Sequence, residues 1–263
     1  MSGKAADWSP GAYQRFRGFR LRPALDLLAQ VPGKLPSGDV VDLGCGAGAV
    51  GAALAERYPR HRRIGLDASP AMLAEARASG LYDAVEEADI GHWQPGAAPA
   101  LIFSNAALNW VAGHDRLLPR LAGLIAPGGV LAVQVPDQQA APSHQLLREI
   151  STALFPDRFD WTNWTPEVLP AERVDTLLAP LGALTLWRTI YYQKLPPQTA
   201  AHPVRAFTES TAARPILARL EPAEREAFLA AYDARLGAAY PAGPDGAVLF
   251  PFARLFFVLH RPG

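Results

Sequence analysis

An α/β fold, with a Rossmann-like sheet of seven mostly parallel strands flanked by helices, is predicted by three features of this 263-residue sequence. Short apolar runs alternate with stretches of helical spacing from about residue 40 to residue 135, the pattern of successive strand and crossover helix. The first run, Val40-Val41-Asp42-Leu43, passes into the alternate glycines Gly44, Gly46 and Gly48, which allow a tight turn with bare backbone. Polar residues then recur where the next strands should end, at Asp67, Asp89 and Asn105.

Taken in order, Pro23 suits the first turn of a helix running to about Val31, with Leu25, Leu28 and Ala29 on one side. Residues 32–38 form a loop. A strand at 40–43 feeds a helix over about 47–58, and 63–67 is the second strand. Ser69-Pro70 is an N-cap followed by a first-turn proline, opening a helix to about Ser79. Residues 84–87 and 99–104 are the third and fourth strands. Leu117, Leu118, Leu121, Leu124 and Ile125 follow helical spacing, and Pro127-Gly128-Gly129 turns into a fifth strand at 130–135. Helices are expected at about 143–154, 171–179, 203–220 and 222–236, with strands at 183–193 and 247–260. The chain is expected to form one domain, 1–263: an N-terminal lid over 1–22, a cofactor-binding core over 36–136, and substrate-side elaborations over 137–180 and 194–246. The last of these is a mainly helical insertion before the final strand.

Composition excludes several classes of function. Zero net charge with 19% charged residues argues against a general nucleic-acid or membrane-surface binder. One cysteine rules out an internal disulfide framework, the six histidines form no metal-ligand cluster, and no apolar run is long enough to span a bilayer. A cytoplasmic enzyme is expected, as a monomer or weak homo-oligomer. Charge is uneven, however: Lys4, Arg15, Arg17, Arg20 and Arg22 oppose Asp7 alone near the start, interleaved with Tyr13, Phe16 and Phe19 at helical spacing.

In an open parallel sheet the ligand lies beyond the carboxyl ends of the strands. There, Gly44, Cys45, Gly46 and Gly48 offer backbone N–H groups, with Cys45 contributing backbone only. Asp67 can accept from both hydroxyls of a ribose, Asp89 from an adenine amino group, and Asn105 lies at the reactive end. Two ligands compete. Gly46-Ala47-Gly48-Ala49-Val50-Gly51, with Asp67 21 residues beyond Gly46, matches the dinucleotide fingerprint of an NAD-dependent oxidoreductase. Against it, the glycines already begin at Gly44, and Asp42 is tolerable beside a cationic ligand but not beside a pyrophosphate. S-adenosylmethionine carries an ammonium and a sulfonium and ranks first.

These motifs, Asp42 to Gly48, Asp67, Asp89 and the turn at 127–129, resemble class I S-adenosylmethionine-dependent methyltransferases. Further segments resemble the trans-aconitate 2-methyltransferase family: Asp7-Trp8-Ser9-Pro10 with Tyr13, Arg22-Pro23, Gly65 to Leu73, Glu87 to Ile90, Gln134 to Asp137, Pro142-Ser143-His144, Trp187-Arg188-Thr189 with Tyr191, Arg214-Pro215 and Arg254-Leu255-Phe256. Departures are Asn109 where the family carries glutamine before Trp110, Gln138, Ala141 and Ser143 in the next motif, and Ala212-Ala213 before Arg214, with Glu209 nearby.

The resemblance implies transfer of a methyl group to a carboxylate oxygen of a small tricarboxylate, leaving S-adenosylhomocysteine. Donor-binding positions are then Arg22, Asp42, Gly44, Cys45, Gly46, Gly48, Asp67, Ala68, Met72, Asp89, Ile90, Asn105 and Trp110. Acceptor-binding positions are Tyr13, His144, Arg148, Arg188, Tyr191, Arg214 and Arg254, because planar guanidinium groups suit several carboxylates. A carboxylate is already ionised at neutral pH, so no general base is required and none is evident; His144, Tyr191 and Arg214 would position the acceptor. Another small or carrier-bound acid is the neighbouring possibility for the acceptor.

Overall fold

The computed structural model describes residues 17–162 and 166–263. The proposed lid, with Tyr13, lies almost wholly outside the described residues. The described residues divide into two compact units: 17–136, 167–189 and 255–263 form the first, and 137–162, 166 and 190–254 the second.

In the first unit, β1 (Val40–Leu43), β2 (Arg63–Asp67), β3 (Ala84–Glu87), β4 (Leu101–Asn105) and β5 (Val130–Pro136) are parallel neighbours in the order β3-β2-β1-β4-β5. Val41 pairs with Ile64 on one side and Ile102 on the other, so β1 is central and buried along its whole length. A strand covered on both faces needs a continuous apolar run, as its sequence shows. The helices of this unit are α1 (Arg17–Ala29), α2 (Gly51–Arg57), α3 (Pro70–Ala78), α4 (His114–Leu124) and α6 (Ala171–Leu178). Ser69 caps α3 by accepting from Met72 N at 3.3 Å, as its sequence predicts. Leu117, Leu118 and Leu121 of α4 and Val174 and Leu178 of α6 pack with Val41, Leu43, Leu131 and Val133 into one core.

Two boundaries differ from expectation. Helix α1 begins at Arg17, so Pro23 falls inside it rather than in its first turn. The segment after the glycines stays in turns until Gly51, leaving α2 only seven residues long. The donor turn therefore precedes the helix instead of merging with it.

In the second unit, α5 (Pro142–Leu154) packs against α9 (Pro222–Ala239), which also touches α7 (Pro203–Thr208). The helix expected over 203–220 breaks into α7 and the short α8 (Arg214–Leu217). Pro215 cannot donate to a preceding turn and starts a new helix where a single one would otherwise continue. Tyr232 on α9 donates to Ser143 O at 2.9 Å, and Ser143 N donates to the Tyr240 hydroxyl at 3.1 Å, which fixes the start of α5. Arg158 meets Glu224 through two hydrogen bonds at 2.9 and 2.5 Å. Phe207, Tyr240, Phe250 and Phe252 form an aromatic cluster with edge-on contacts at 5.3–5.8 Å. The long strands β6 (Ala183–Leu195) and β7 (Val248–His260) complete a seven-stranded sheet, β7 lying between β5 and β6.

Candidate functional site

The turn after β1 is held from beneath by Leu66 O, which accepts from Gly44 N at 2.7 Å and Cys45 N at 2.8 Å. Gly44 has φ +81°, and a Cβ there would sit 2.1 Å from that of Ala107, so only glycine fits. Gly46, at φ +55°, faces open space within 4 Å of where its Cβ would be. The N–H groups expected to be offered to a ligand are instead bonded within the protein, Gly46 N to Asp67 and Gly48 N to Cys45 O at 3.0 Å, so the turn offers a ligand open space beside Gly46 rather than free donors. A seven-residue α2 adds little dipole of its own.

Asp67 closes β2 and ties two turns together. Its Oδ2 accepts from Gly46 N and its Oδ1 from Ser69 N, both at 2.9 Å. Each carboxylate oxygen has two lone-pair directions, so ribose hydroxyls can still be accepted. Ala68 lies between these two anchors. Met72, expected among the donor ligands, is buried on α3 at 3% exposure.

Asp42, expected among the donor ligands, turns inward. It is 2% exposed and accepts from the Tyr82 hydroxyl at 2.6 Å. Burial pushes its carboxyl up to about 7, the Tyr82 hydrogen bond opposes that rise, and the Asp67 charge adds to it. Asp42 therefore braces the turn from the core side. Cys45 packs with Leu73 and Ala76, and burial beside Asp42 raises its thiol pKa, so it is unreactive and serves through its backbone.

Asp89, after β3, accepts from Gly91 N at 2.8 Å and meets His92 Nδ1 at 2.9 Å. These two partners hold its carboxyl below the ordinary carboxylate range, and most of its side chain remains exposed. Ile90 is buried, and Arg120 steadies its loop through Ile90 O at 2.6 Å and Trp93 O at 2.7 Å. Asn105 ends β4 with its Oδ1 buried and without a hydrogen-bond partner among the described residues. An acceptor left in that position suits a cationic group, and with Asp67 and the open Gly46 backbone it makes these residues fit S-adenosylmethionine. Trp110 follows in a 3-10 turn and is 48% exposed. Arg22 is exposed on α1, 3.9 Å from Asp26. A separate cavity of about 380 Å³, lined by Gly38, Asp39, His61 and Arg62 among others, lies at the amino ends of β1 and β2 and is not this site.

The expected acceptor residues fall mostly in the second unit. His144 Nδ1 lies 3.1 Å from Ser143 Oγ, and burial together with the Arg148 charge lowers its pKa to about 4. It is therefore neutral at physiological pH. Arg148, one turn on, donates to Gln139 O at 2.7 Å. Arg214 opens α8 half-buried. Arg254 is 3% exposed, its guanidinium 4.7 Å from the centre of the Phe252 ring. Tyr191 is buried, in the same strand series as Gln193 and Leu195. Arg188 belongs to the first unit and falls in the opposite, exposed series of β6. Strand alternation therefore separates it from Tyr191, which the sequence pattern alone did not reveal.

Gln193 was not singled out by the sequence. It is 2% exposed, with neither amide atom bonded among the described residues. The available signal was a polar residue in the buried phase of an alternating strand. Among the described residues no His, Cys, Asp and Glu group could hold a metal, and no helix is long and apolar enough to cross a membrane.

Residues 40–129 match a family model described as a methyltransferase domain. Trans-aconitate 2-methyltransferase of Acidovorax ebreus (strain TPSY) is 45% identical over 258 residues, covering 97% of this chain and 98% of that protein. The enzyme of the same name from Escherichia coli O157:H7 is 41% identical over 260 residues, covering 97% and 99%. Among solved structures, a putative sarcosine dimethylglycine methyltransferase from Galdieria sulphuraria superposes with a TM-score of 0.54 at 15% identity, covering 96% of this chain and 91% of the other. Phosphoethanolamine N-methyltransferase 2 of Haemonchus contortus, in complex with S-adenosyl-L-methionine, gives 0.52 at 15% identity, with 92% of this chain spanning 53% of that one. These two likenesses bear on the fold alone. With the identity to the Acidovorax and Escherichia enzymes running nearly end to end, the chain belongs to the trans-aconitate 2-methyltransferase family.

Proposed function

We propose that this protein esterifies a carboxylate of trans-aconitate, using S-adenosylmethionine as methyl donor. The observation that carries the reading is the 45% identity to a trans-aconitate 2-methyltransferase across 97% of the chain. The buried cation Arg254 and the open glycine backbone support it. S-adenosylmethionine, when bound, supplies an electrophilic methyl group on a sulfonium.

The protein's part is binding and placement. Gly44 to Gly48 and Asp67 hold the nucleoside end, Asp89 and Ile90 the base, and Asn105 Oδ1 accepts from the amino group. Arg148, Arg214 and Arg254 hold the acceptor's carboxylates, with His144 contributing as a neutral ring and Tyr191 as a hydroxyl. A neutral His144 suits this role, since a base is unnecessary for an acceptor already ionised. Fixing oxygen, carbon and sulfur in line while excluding water contributes roughly 7–11 kcal/mol. Arg22 is assigned to the donor, and Tyr13, which lies outside the described residues, to the acceptor. The acceptor is a small molecule, and the protein acts in the cytoplasm as a monomer or weak homo-oligomer, without nucleic acid.

The test offers purified protein labelled donor and a panel of mono-, di- and tricarboxylates, with esters identified by mass spectrometry. A monomethyl ester of trans-aconitate formed with the highest kcat/KM is the expected result. Donor binding without esterification of any polycarboxylate overturns the proposal.

A further inference from the structure

The short segment from Asn105 to Trp110 contains a strained residue and an amide that braces it. Ala106 has φ +55°, the sole non-glycine positive φ among the described residues, a conformation that a residue with a Cβ rarely adopts. Strain of this kind persists where surroundings over-determine the backbone. Here Ala106 N donates to Gln134 O at 2.9 Å, on the neighbouring strand. With its amide oriented to suit its partners, Asn109 donates to Ala106 O at 3.1 Å and accepts from Trp110 Nε1 at 3.0 Å. Both ends of one neutral side chain are thus used, one on the strained peptide and one on the indole.

The other side of the segment presses on the donor turn. Ala107 follows the strained residue, and its Cβ occupies the space a side chain at Gly44 would need, 2.1 Å from the position of an added Cβ. Asn105, immediately before, carries the buried Oδ1 that has no partner among the described residues. Trp110 is half exposed yet has its N–H held by its neighbour, so the ring is fixed rather than free to sweep.

We propose that Asn109 is a positioning residue: it locks Ala106 and Trp110, and through them sets Asn105 and the Trp110 indole as a preformed wall for the methyl donor. Asn109 itself touches neither donor nor acceptor. The inference rests on the donor reading above. Pre-ordering of this wall before ligand arrives removes ordering that binding would otherwise have to impose. An amide does this without a charge, so the brace is independent of pH.

The test compares Asn109→Leu, similar in size and unable to bond, with Asn109→Gln, which keeps the amide. S-adenosylhomocysteine is titrated calorimetrically, the KM for donor and kcat are measured apart, and the Trp110 indole N–H exchange is followed by NMR in ligand-free protein. Asn109→Leu is expected to weaken S-adenosylhomocysteine about 10-fold, raise the donor KM in parallel and expose the indole N–H to exchange. Asn109→Gln is expected to recover most of the affinity. A lower Tm for Asn109→Leu with unchanged affinity and KM overturns the proposal, as does a glutamine variant that behaves like leucine. Should wild-type protein bind no S-adenosylhomocysteine, the donor reading fails by itself. An indole N–H equally protected in wild type and Asn109→Leu rejects the brace whatever the ligand.

Discussion

In the first unit the candidate donor groups are held largely through main chain, whereas the candidate acceptor groups of the second are side chains. Around the glycine turn, Gly44 N, Cys45 N, Gly46 N and Ser69 N all find partners within a few residues of a strand end: Leu66 O takes the first two and the Asp67 carboxylate the other two, with lone pairs to spare. In the second unit the candidate groups come from two helix starts, a helix middle and two strands: His144, Arg214, Arg148, Tyr191 and Arg254. Their surroundings are costly for polar groups, with Arg254 stacked on Phe252 and the Gln193 amide without a partner among the described residues. A common donor can be met by backbone geometry, which tolerates sequence change, whereas a particular acid must be met by particular side chains.

The contrast can be broken most sharply at Gly44. Gly44→Ala places a Cβ at φ +81° against Ala107, and is expected to destabilise the protein by about 3 kcal/mol or more and to abolish donor binding. Thermal unfolding with donor titration checks this, and a variant that binds normally would show that the turn is not built on its backbone. Next in size, Arg254→Met should raise the KM for trans-aconitate about 10–100-fold while leaving the donor dissociation constant unchanged. Steady-state kinetics beside calorimetry separate the two, and an equal loss of both would erase the division of labour.

The two units should also differ in the sign of their pH dependence. Asp42 titrates near 7 when folded against 3.8 ordinarily, so the folded state holds more protons and its contribution falls as pH rises from about 4 to about 7. His144 titrates near 4 when folded against 6.5, so its contribution is lost as pH falls through that interval. Melting temperatures from pH 4 to 8 are expected to show less loss toward neutrality in Asp42→Asn and less acid loss in His144→Gln. A wild-type slope in either variant would remove that group as the cause. The smallest expected effect is at Gln193. Gln193→Leu should stabilise by about 1–2 kcal/mol, because it removes a buried amide with no bond among the described residues. Destabilisation would mean that the amide has a partner in solution.

What could be seen in the sequence follows the same division. Strands β2 and β3, the capped start of α3 and the 127–129 turn are short-range consequences of residues lying side by side, such as Ser69 before Pro70. The direction of Asp42 was hidden because its partner Tyr82 lies 40 residues away in a loop. Pro23 marked a helix but not its start, since Arg17 to Arg22 carry the helix backward past it. On β6, Arg188 and Tyr191 were both expected to hold the acceptor, and only the phase of a formed strand sets them in opposite series. The isolation of Gln193 is likewise a property of packing, with no trace in neighbouring residues.

The sheet order has a consequence for biosynthesis. The edge strand β6 has β7 as its neighbour, yet β7 spans residues 248–260, more than fifty positions later in the chain. During translation, the nascent chain therefore carries a long, unsatisfied β6 while the intervening helices are still being made. Only when the closing strand leaves the ribosome can it slot between β5 and β6, so β7 seals the sheet after the other six strands have emerged.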